Sequence, residues 1–152
     1  MVRIAVCSVS ASRSRLKTLG ADRMCEEYVE RCLPYMACER QVFATEALLL
    51  EWAERRSGRT AATLVLLDSV GQMLTSEQFA ARVGGWRDGG VQQLVLAIGP
   101  ADGWSAGART RADLLLSLGR MTLPHALAQV VLCEQIYRAL TILAGHPYHG
   151  GH

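Results

Sequence analysis

Several signatures that would assign this chain to a common class of protein are missing from its sequence. No apolar run approaches the roughly 20 residues of a membrane-spanning helix, and the first residues lack a signal-peptide pattern. G-x-G-x-x-G and G-x-x-x-x-G-K-[ST] are also absent, which argues against an ordinary dinucleotide-binding domain and a P-loop NTPase. We therefore expect a cytoplasmic protein without a membrane partner, folded as one domain over residues 1–152.

Lysine and a strong net charge are lacking too. Lys17 is the only lysine among 16 basic residues, and the formal net charge is +2. Such a charge is weak for a protein that holds free RNA through phosphate neutralisation alone. The five cysteines are odd in number and include no C-x-x-C pair, so we expect reduced, buried thiols rather than a disulfide framework.

Short apolar segments alternate with helical segments along the whole chain. The patterns predict strands at residues 2–9, 39–44, 63–67, 94–98 and 114–118, and helices at residues 20–33, 46–56, 75–86, 105–112 and 126–144. Thr45 is a plausible helix N-cap, Thr75 with Gln78 forms a capping-box pattern, and residues 70–74 are expected to form a loop. Strands that are apolar throughout indicate an α/β fold whose mostly parallel sheet is flanked by helices.

The last predicted helix, residues 126–144, is apolar over more than one stripe of its surface. A helix of this kind needs cover on both sides. A chain of 152 residues can supply one side, so a second copy of the protein is a natural candidate for the other. The pattern therefore favours a homodimer.

Three strand ends carry candidate binding residues, at residues 67–68, 99–103 and 119–124. In open α/β sheets ligands bind beyond the carboxyl ends of the strands, and glycine lets the backbone approach a flat ligand closely. The alternative is that these are only tight turns. His125 follows the last of them and is either structural or catalytic. His146, His149 and His152 are spaced three apart, but no cysteine or carboxylate lies beside them, so we expect no metal.

Five motifs occur together in the second half of the chain. They are LLD at residues 66–68, IG-x-x-DG at 98–103, LGRMTLPH at 118–125, EQ-x-YRA at 134–139 and HPYH at 146–149. In this order and spacing the chain resembles the small SPOUT methyltransferases that modify N3 of a pseudouridine in large-subunit ribosomal RNA. The resemblance implies a SPOUT fold with a C-terminal trefoil knot over about residues 63–149, a homodimer, S-adenosylmethionine as cofactor, and the assembled ribosome as partner.

The resemblance also assigns site residues. The cofactor would be bound by Leu67, Gly99, Pro100, Gly103, Gly119, Arg120, Met121, Thr122, Leu123 and Pro124. His125 would handle the proton of the target nitrogen or orient the base. Tyr148 and His149 would complete the catalytic pocket from the partner subunit.

Three positions depart from the family pattern. Pro100 stands where a second glycine is usual, and it has no N–H to donate to a cofactor. Gln129 and Gly150 each stand where arginine is usual, which removes positive charge near the expected RNA site. Two alternatives therefore remain: a ribosome-binding protein that kept the fold but lost methyl transfer, and a methyltransferase that acts on another RNA.

Overall fold

The computed structural model, which describes residues 1–10 and 15–151, has a five-stranded sheet between two layers of helices. Its elements in chain order are β1 (Arg3–Val9), α1 (Arg15–Cys32), β2 (Ala37–Phe43), α2 (Glu46–Arg55), β3 (Thr63–Met73), α3 (Ser76–Asp88), β4 (Gln93–Ile98), α4 (Ala106–Arg111), β5 (Leu114–Ser117), α5 (His125–Leu143) and a 3₁₀ turn (His149–Gly151). The strand order is β2-β1-β4-β3-β5, and every neighbouring pair is parallel. The predicted α/β fold with a parallel sheet is confirmed.

Both faces of the sheet are buried, as the unbroken apolar strands require. In β1, Ile4 and Val6 belong to the core beneath α1, α3 and α5, whereas Ala5 and Cys7 belong to the core beneath α2 and α4. Successive side chains of a strand point to opposite faces, so each strand contributes to both cores. Burial of each large apolar side chain stabilises the fold by about 1.5–3 kcal/mol.

Helix α5 lies between α1 and α3, against the sheet. Its buried residues are Val130, Leu132, Cys133, Ile136, Ala139, Leu140 and Thr141. Among the described residues, one helix, α5, is long and apolar enough to cross a membrane when judged by length and composition alone. The buried core helix of a soluble protein passes the same test. Its contacts with α1, α3 and the sheet explain most of its apolar character, but Leu127 remains 46% exposed.

The predicted helix caps at Thr45 and Thr75 are confirmed, but the predicted start of α1 is wrong. Thr45 accepts a hydrogen bond from the backbone N–H of Leu48, and Thr75 with Gln78 forms the full capping box. Helix α1 begins at Arg15 rather than at the predicted Gly20. A glycine inside a helix costs only about 0.5–1 kcal/mol, and packing against α5 offsets that cost. Residues 11–14 of the predicted lead-in lie outside the described residues.

Strand β3 is longer than predicted, and the expected loop at residues 70–74 is wrong. After Leu67 the strand continues irregularly to Met73, and both Leu67 and Gln72 lie opposite Leu116 of β5. A Cβ at Gly71 would lie 2.6 Å from the Leu115 backbone, so only glycine permits this close approach. Backbone pairing with β5 holds the extension, and its polar, glycine-containing sequence hides it from hydropathy patterns.

The cysteines are free thiols, as predicted. Cys7, Cys25, Cys32 and Cys133 are buried, and Cys38 is partly buried. Burial is the main reason that the pKa of the Cys7 thiol rises to about 12. This thiol therefore stays protonated at neutral pH.

Candidate functional site

A cavity of about 430 Å³ opens at the carboxyl ends of β4, β3 and β5, three strands that are neighbours in the sheet. Every residue predicted to bind a cofactor lines it except Pro124, which is the N-cap of α5. His125 also lines the cavity. Its volume lies within the range of about 300–1,000 Å³ that is usual for small-molecule sites. The sheet thus brings three predicted turns, separate in sequence, to one place.

The turn after β4 is built around a contact between Gly99 and Trp104. A Cβ at Gly99 would lie 2.7 Å from Cε2 of the Trp104 ring, so a larger residue cannot fit without moving the indole. Trp104 is 8% exposed, and its Nε1–H donates a 2.9 Å hydrogen bond to the carbonyl of Leu67. This side chain therefore fixes the ends of β3 and β4 relative to each other.

Sequence reasoning did not select Trp104 as a site residue, although it lines the cavity. A signal was present, because Trp104 comes directly after the IG-x-x-DG motif and so lies at the same strand end. The match to G-x-S-x-G at residues 103–107 was also missed. Ser105 in this stretch is the N-cap of α4, where its Oγ accepts from Ala108, and Oγ also donates to the Glu46 carboxylate. These contacts indicate a helix cap rather than a hydrolase nucleophile.

Two further glycines have backbone conformations that other residues rarely adopt. Gly103 has φ +87° and Gly119 has φ +136°, both outside the regions usual for side-chain-bearing residues. The N–H of Gly103 donates to the carbonyl of Pro100 at 2.9 Å, so Pro100 fits this turn and its carbonyl closes it. The hydroxyl of Ser117 holds the Gly119 turn by accepting from its N–H and donating to its carbonyl.

Both ring nitrogens of His125 make hydrogen bonds within the chain. Nε2 lies 3.0 Å from the carbonyl oxygen of Gly99, and Nδ1 lies 3.1 Å from the side-chain nitrogen of Gln129. Gln129 in turn accepts a 2.8 Å hydrogen bond from Arg40 of β2. No sequence signal links Arg40 to this site, because it lies 89 residues before Gln129.

Asp68 places a carboxylate in the cavity wall at the end of the regular part of β3. Its Oδ2 lies 3.1 Å from Nε of Arg109 on α4, and its Oδ1 accepts a hydrogen bond from the N–H of Val70. The Asp68 side chain is 10% exposed. The ion pair therefore joins α4 to the β3 turn and neutralises a charge that would otherwise be costly to bury.

Tyr148 and His149 lie at the opposite end of α5. The Tyr148 hydroxyl donates to Glu134 at 3.0 Å, and its ring packs edge-on against Tyr137. Arg138 lies over the Tyr148 ring and donates to Nδ1 of His149 at 2.8 Å. Burial, followed by the hydrogen bond to Glu134, raises the pKa of Tyr148 to about 12. The hydroxyl is therefore a hydrogen-bond donor at neutral pH rather than a base.

The three predicted catalytic residues do not meet within one chain. His125 is the first residue of α5, whereas Tyr148 and His149 follow its last residue, Leu143. A helical rise of 1.5 Å per residue separates the two ends of α5 by roughly 27 Å. One chain thus presents a cavity with His125 at one end of the helix and a packed tail at the other.

The histidine-rich tail follows α5 and was expected to bind no metal. Within residues 1–10 and 15–151, no group of three or more His, Cys, Asp or Glu side chains is arranged to hold a metal ion. His152 lies outside the described residues. Nε2 of His149 lies 3.2 Å from a Glu77 oxygen, and this contact joins the tail to α3.

Comparison with known sequences gives one consistent result. Residues 2–149 match the family described as "Predicted SPOUT methyltransferase". A protein of Koribacter versatilis named "Ribosomal RNA large subunit methyltransferase H" is 52% identical over 126 residues, which cover 83% of this chain and 86% of that protein. A Brucella anthropi protein of the same name is 57% identical over 88 residues, 58% of this chain and 55% of its own length.

Solved structures show a similar fold at much lower identity. A probable methylase family protein from Haemophilus influenzae has a TM-score of 0.61 at 9% identity, covering 97% of this chain and 71% of that one. The SpoU methyltransferase AviRb from Streptomyces viridochromogenes, solved with AdoMet, has a TM-score of 0.52 at 15% identity. That alignment covers 95% of this chain and 59% of AviRb.

Proposed function

The chain belongs to the SPOUT methyltransferase family, and we propose that it methylates N3 of a pseudouridine in large-subunit ribosomal RNA with S-adenosylmethionine as donor. The observation that carries this proposal is that the family's cofactor motifs converge on one cavity. The name of the relatives supports ribosomal RNA as the substrate. The net charge of only +2 favours the assembled ribosome, in the cytoplasm, over free RNA.

The cavity residues fit S-adenosylmethionine by size and by chemistry. Its wall is made largely of turn backbone, and the open space beside the glycines at 103 and 119 leaves room for a flat ring to approach carbonyl and amide groups. Leu67, Gly99 and the segment from Gly119 to Leu123 would hold the cofactor. When bound, S-adenosylmethionine supplies an electrophilic methyl group on its sulfonium. The residues of the chain would position the target nitrogen against that methyl.

The catalytic residues are suited to orientation more than to proton removal. An imide nitrogen is a poor nucleophile until its proton is removed or shared. His125 uses both ring nitrogens in contacts with Gly99 and Gln129, and the raised pKa of Tyr148 keeps its hydroxyl protonated. We propose that His125 shapes the cavity, while Tyr148 and His149 of the partner subunit contact the base.

A homodimer completes this site. Within one chain the tail lies a helix length away from the cavity, so only a second copy can bring Tyr148 and His149 beside His125. Large apolar side chains near the cavity support such an interface, since Met121 is 86% exposed and Leu127 is 46% exposed. Sedimentation of the purified protein tests this directly, and a monomer at micromolar concentration would contradict it.

The proposal extends to the chain path, which we infer to be a trefoil knot over about residues 63–149. The close crossing of Gly71 over the Leu115 backbone supports it, because the segment before α3 there meets the segment before α5. Stretching single molecules from both termini in denaturant is the test. A knotted chain would stay shorter than the roughly 3.3–3.6 Å per residue of a fully extended one, whereas full extension would exclude the knot.

The decisive experiment is methyl transfer to ribosomes that lack the modification. The protein is incubated with ribosomes or with naked ribosomal RNA and label-bearing S-adenosylmethionine, and the product nucleosides are identified by mass spectrometry. We expect labelled N3-methylpseudouridine at one position, formed faster on ribosomes than on naked RNA. Label in a different RNA would instead favour the altered-substrate alternative.

If no methyl transfer is observed, calorimetric titration with S-adenosylmethionine shows whether the protein still binds the cofactor. Saturable binding without transfer to any ribosomal RNA would favour a ribosome-binding protein that lost catalysis. Saturable binding would also show that Pro100 is compatible with the cofactor site.

A further inference from the structure

A line of hydrogen-bonded side chains runs from α1 to the cavity. It begins at Asp22 and Glu26 of α1, whose carboxylates lie 3.3 and 3.1 Å from the guanidinium of Arg40. Arg40 donates to Gln129, Gln129 contacts His125, and His125 contacts the carbonyl of Gly99. The Arg40 side chain is 11% exposed, whereas Asp22 and Glu26 are 54% and 61% exposed, so the line runs from the surface of α1 to the cavity.

The chemistry of the two ends fixes every proton along this line. Arginine only donates, so the Gln129 atom that faces Arg40 must be its oxygen, and the amide nitrogen must face His125. The Gln129 amide then donates to Nδ1 of His125, which must present a lone pair. At the other end, the Gly99 carbonyl only accepts, so Nε2 must carry the hydrogen. Only the neutral Nε2–H form of His125 satisfies both contacts.

We propose that Arg40 and Gln129 are positioning residues that hold His125 in its Nε2–H form, and thereby hold the Gly99–Pro100 turn of the cofactor cavity. This inference rests on the proposed function, since it concerns the same site. It also gives the glutamine at position 129 a structural role, because Gln129 links the guanidinium of Arg40 on β2 to His125.

The arrangement also gives His125 a defined role. Its lone pair is directed at Gln129, and its Nε2–H is used by Gly99. The ring therefore supports the turn next to Pro100, a residue that cannot donate a backbone hydrogen bond of its own. His125 then affects methyl transfer through the shape of the cavity rather than by accepting the proton of the base.

Three substitutions change the hydrogen-bonding groups of Arg40 and Gln129 while keeping an unbranched side chain at each position. Gln129→Met removes the donor to Nδ1, and Arg40→Met removes the group that orients the Gln129 amide. Gln129→Glu presents only acceptors, so it should draw a proton onto Nδ1. Gln93→Met is the control, because it makes the same substitution at a buried glutamine whose amide donates to the backbone carbonyl of Arg3. It lies at the opposite end of β4.

The primary measurement is nitrogen NMR of histidine-labelled protein, which reports which ring nitrogen carries the proton. The chain has four histidines, and the His125 signals are assigned by their loss in His125→Gln. We expect the Nε2–H form in the wild type and in Gln93→Met, a protonated Nδ1 in Gln129→Glu, and mixed forms in Gln129→Met and Arg40→Met. The proposal would be overturned if His125 of the wild type is protonated on Nδ1, or if its protonation state is unchanged in Gln129→Glu.

The second measurement is the affinity for S-adenosylmethionine. Loss of the support for the Gly99–Pro100 turn should weaken binding roughly fivefold to tenfold in Gln129→Met and Arg40→Met, as expected for one lost hydrogen-bonded contact. Gln93→Met should bind like the wild type even if it is less stable. Unchanged affinity in both site variants would refute the link to the cavity. Absence of wild-type binding would count against the proposed function, and the NMR spectra would still decide the tautomer.

Discussion

The two ends of α5 are stabilised in different ways. At its first turn, His125 borders an open cavity and contacts the Gly99 carbonyl and the Gln129 side chain, which is in turn bonded to Arg40. Beyond its last turn, charged and aromatic side chains fill the space, with Arg138 between Glu134 and His149 and stacked on Tyr148. One end of α5 borders the cavity, and the other end carries a cluster of charged and aromatic side chains. The comparison teaches that the two ends are complementary, which is what the proposed site shared between two copies requires.

The largest expected effect comes from a substitution that changes only the tail end of α5. Tyr148→Ala should reduce kcat by about 100-fold, as expected when a group that positions the reacting base is lost, and should leave S-adenosylmethionine affinity unchanged. Methylation assays and calorimetry on the same preparation check both parts. A tail variant that lost affinity for the cofactor would show instead that the tail supports the cavity of its own chain.

Mixed dimers test whether the site is shared between chains. A Tyr148→Ala chain and a Gly99→Ala chain carrying different affinity tags are co-expressed, and the mixed dimer is isolated. Two-fold symmetry then places both mutations in one site and neither in the other. At S-adenosylmethionine concentrations well below the wild-type Kd, where both parents are impaired, activity should therefore return to about half of the wild-type rate. Activity no higher than that of the better parent would mean that each chain completes its own site.

An intermediate effect is expected from Gly99→Ala at the cavity end. The added methyl group would lie 2.7 Å from the Trp104 ring, so the indole must move and strain its bond to Leu67. We expect S-adenosylmethionine affinity to fall about tenfold, equivalent to roughly 1.4 kcal/mol, by calorimetric titration. Gly107→Ala on α4 is the control, because its Cβ would meet nothing closer than 3.8 Å. Equal affinities in the two variants would show that the Gly99 contact does not shape the site.

The smallest expected effect is on the free energy of unfolding at alkaline pH, through Tyr148 at the tail end of α5. The pKa of Tyr148 is raised from 10 to about 12 by burial and by Glu134. Between these values the unfolded chain loses the proton and the folded chain keeps it, so the stability that this shift contributes is present below pH 10 and lost as pH rises through 12. Tyr148→Phe should therefore show a shallower loss of unfolding free energy over this window, measured by denaturant titration. Glu134→Gln should lower the Tyr148 pKa, seen by ultraviolet absorbance, and an unchanged absorbance titration would contradict the assigned cause.

The sequence predicted those features whose causes are local. The caps at Thr45 and Thr75 depend on neighbours within three residues, and the parallel sheet follows from strands that are apolar on both faces. The turns at Gly99 and Gly119 could be placed at one edge because parallel strands share a direction. The motifs then assigned them to a cofactor, and the cavity has those residues in its wall.

Features that depend on distant contacts could not be predicted in this way. The extension of β3 past Leu67 is held by backbone pairing with β5, which leaves no apolar pattern in the sequence. The contact between Arg40 and Gln129 joins residues far apart in the chain, and a lone arginine in a strand gives no indication of its partner. The sequence alone indicated only that a charge is lost at Gln129, whereas the fold shows that Gln129 links Arg40 to His125.

The contact between Gly99 and Trp104 restricts the order in which this site can evolve. While tryptophan occupies position 104, any side chain at 99 meets the ring, so selection keeps the glycine whatever its direct use. Replacement of Trp104 by a smaller residue would have to come first, and it would cost the hydrogen bond to Leu67 before any benefit at 99 was available. The two positions are therefore epistatic, and a lineage that has acquired this pair can leave it only through a less stable intermediate.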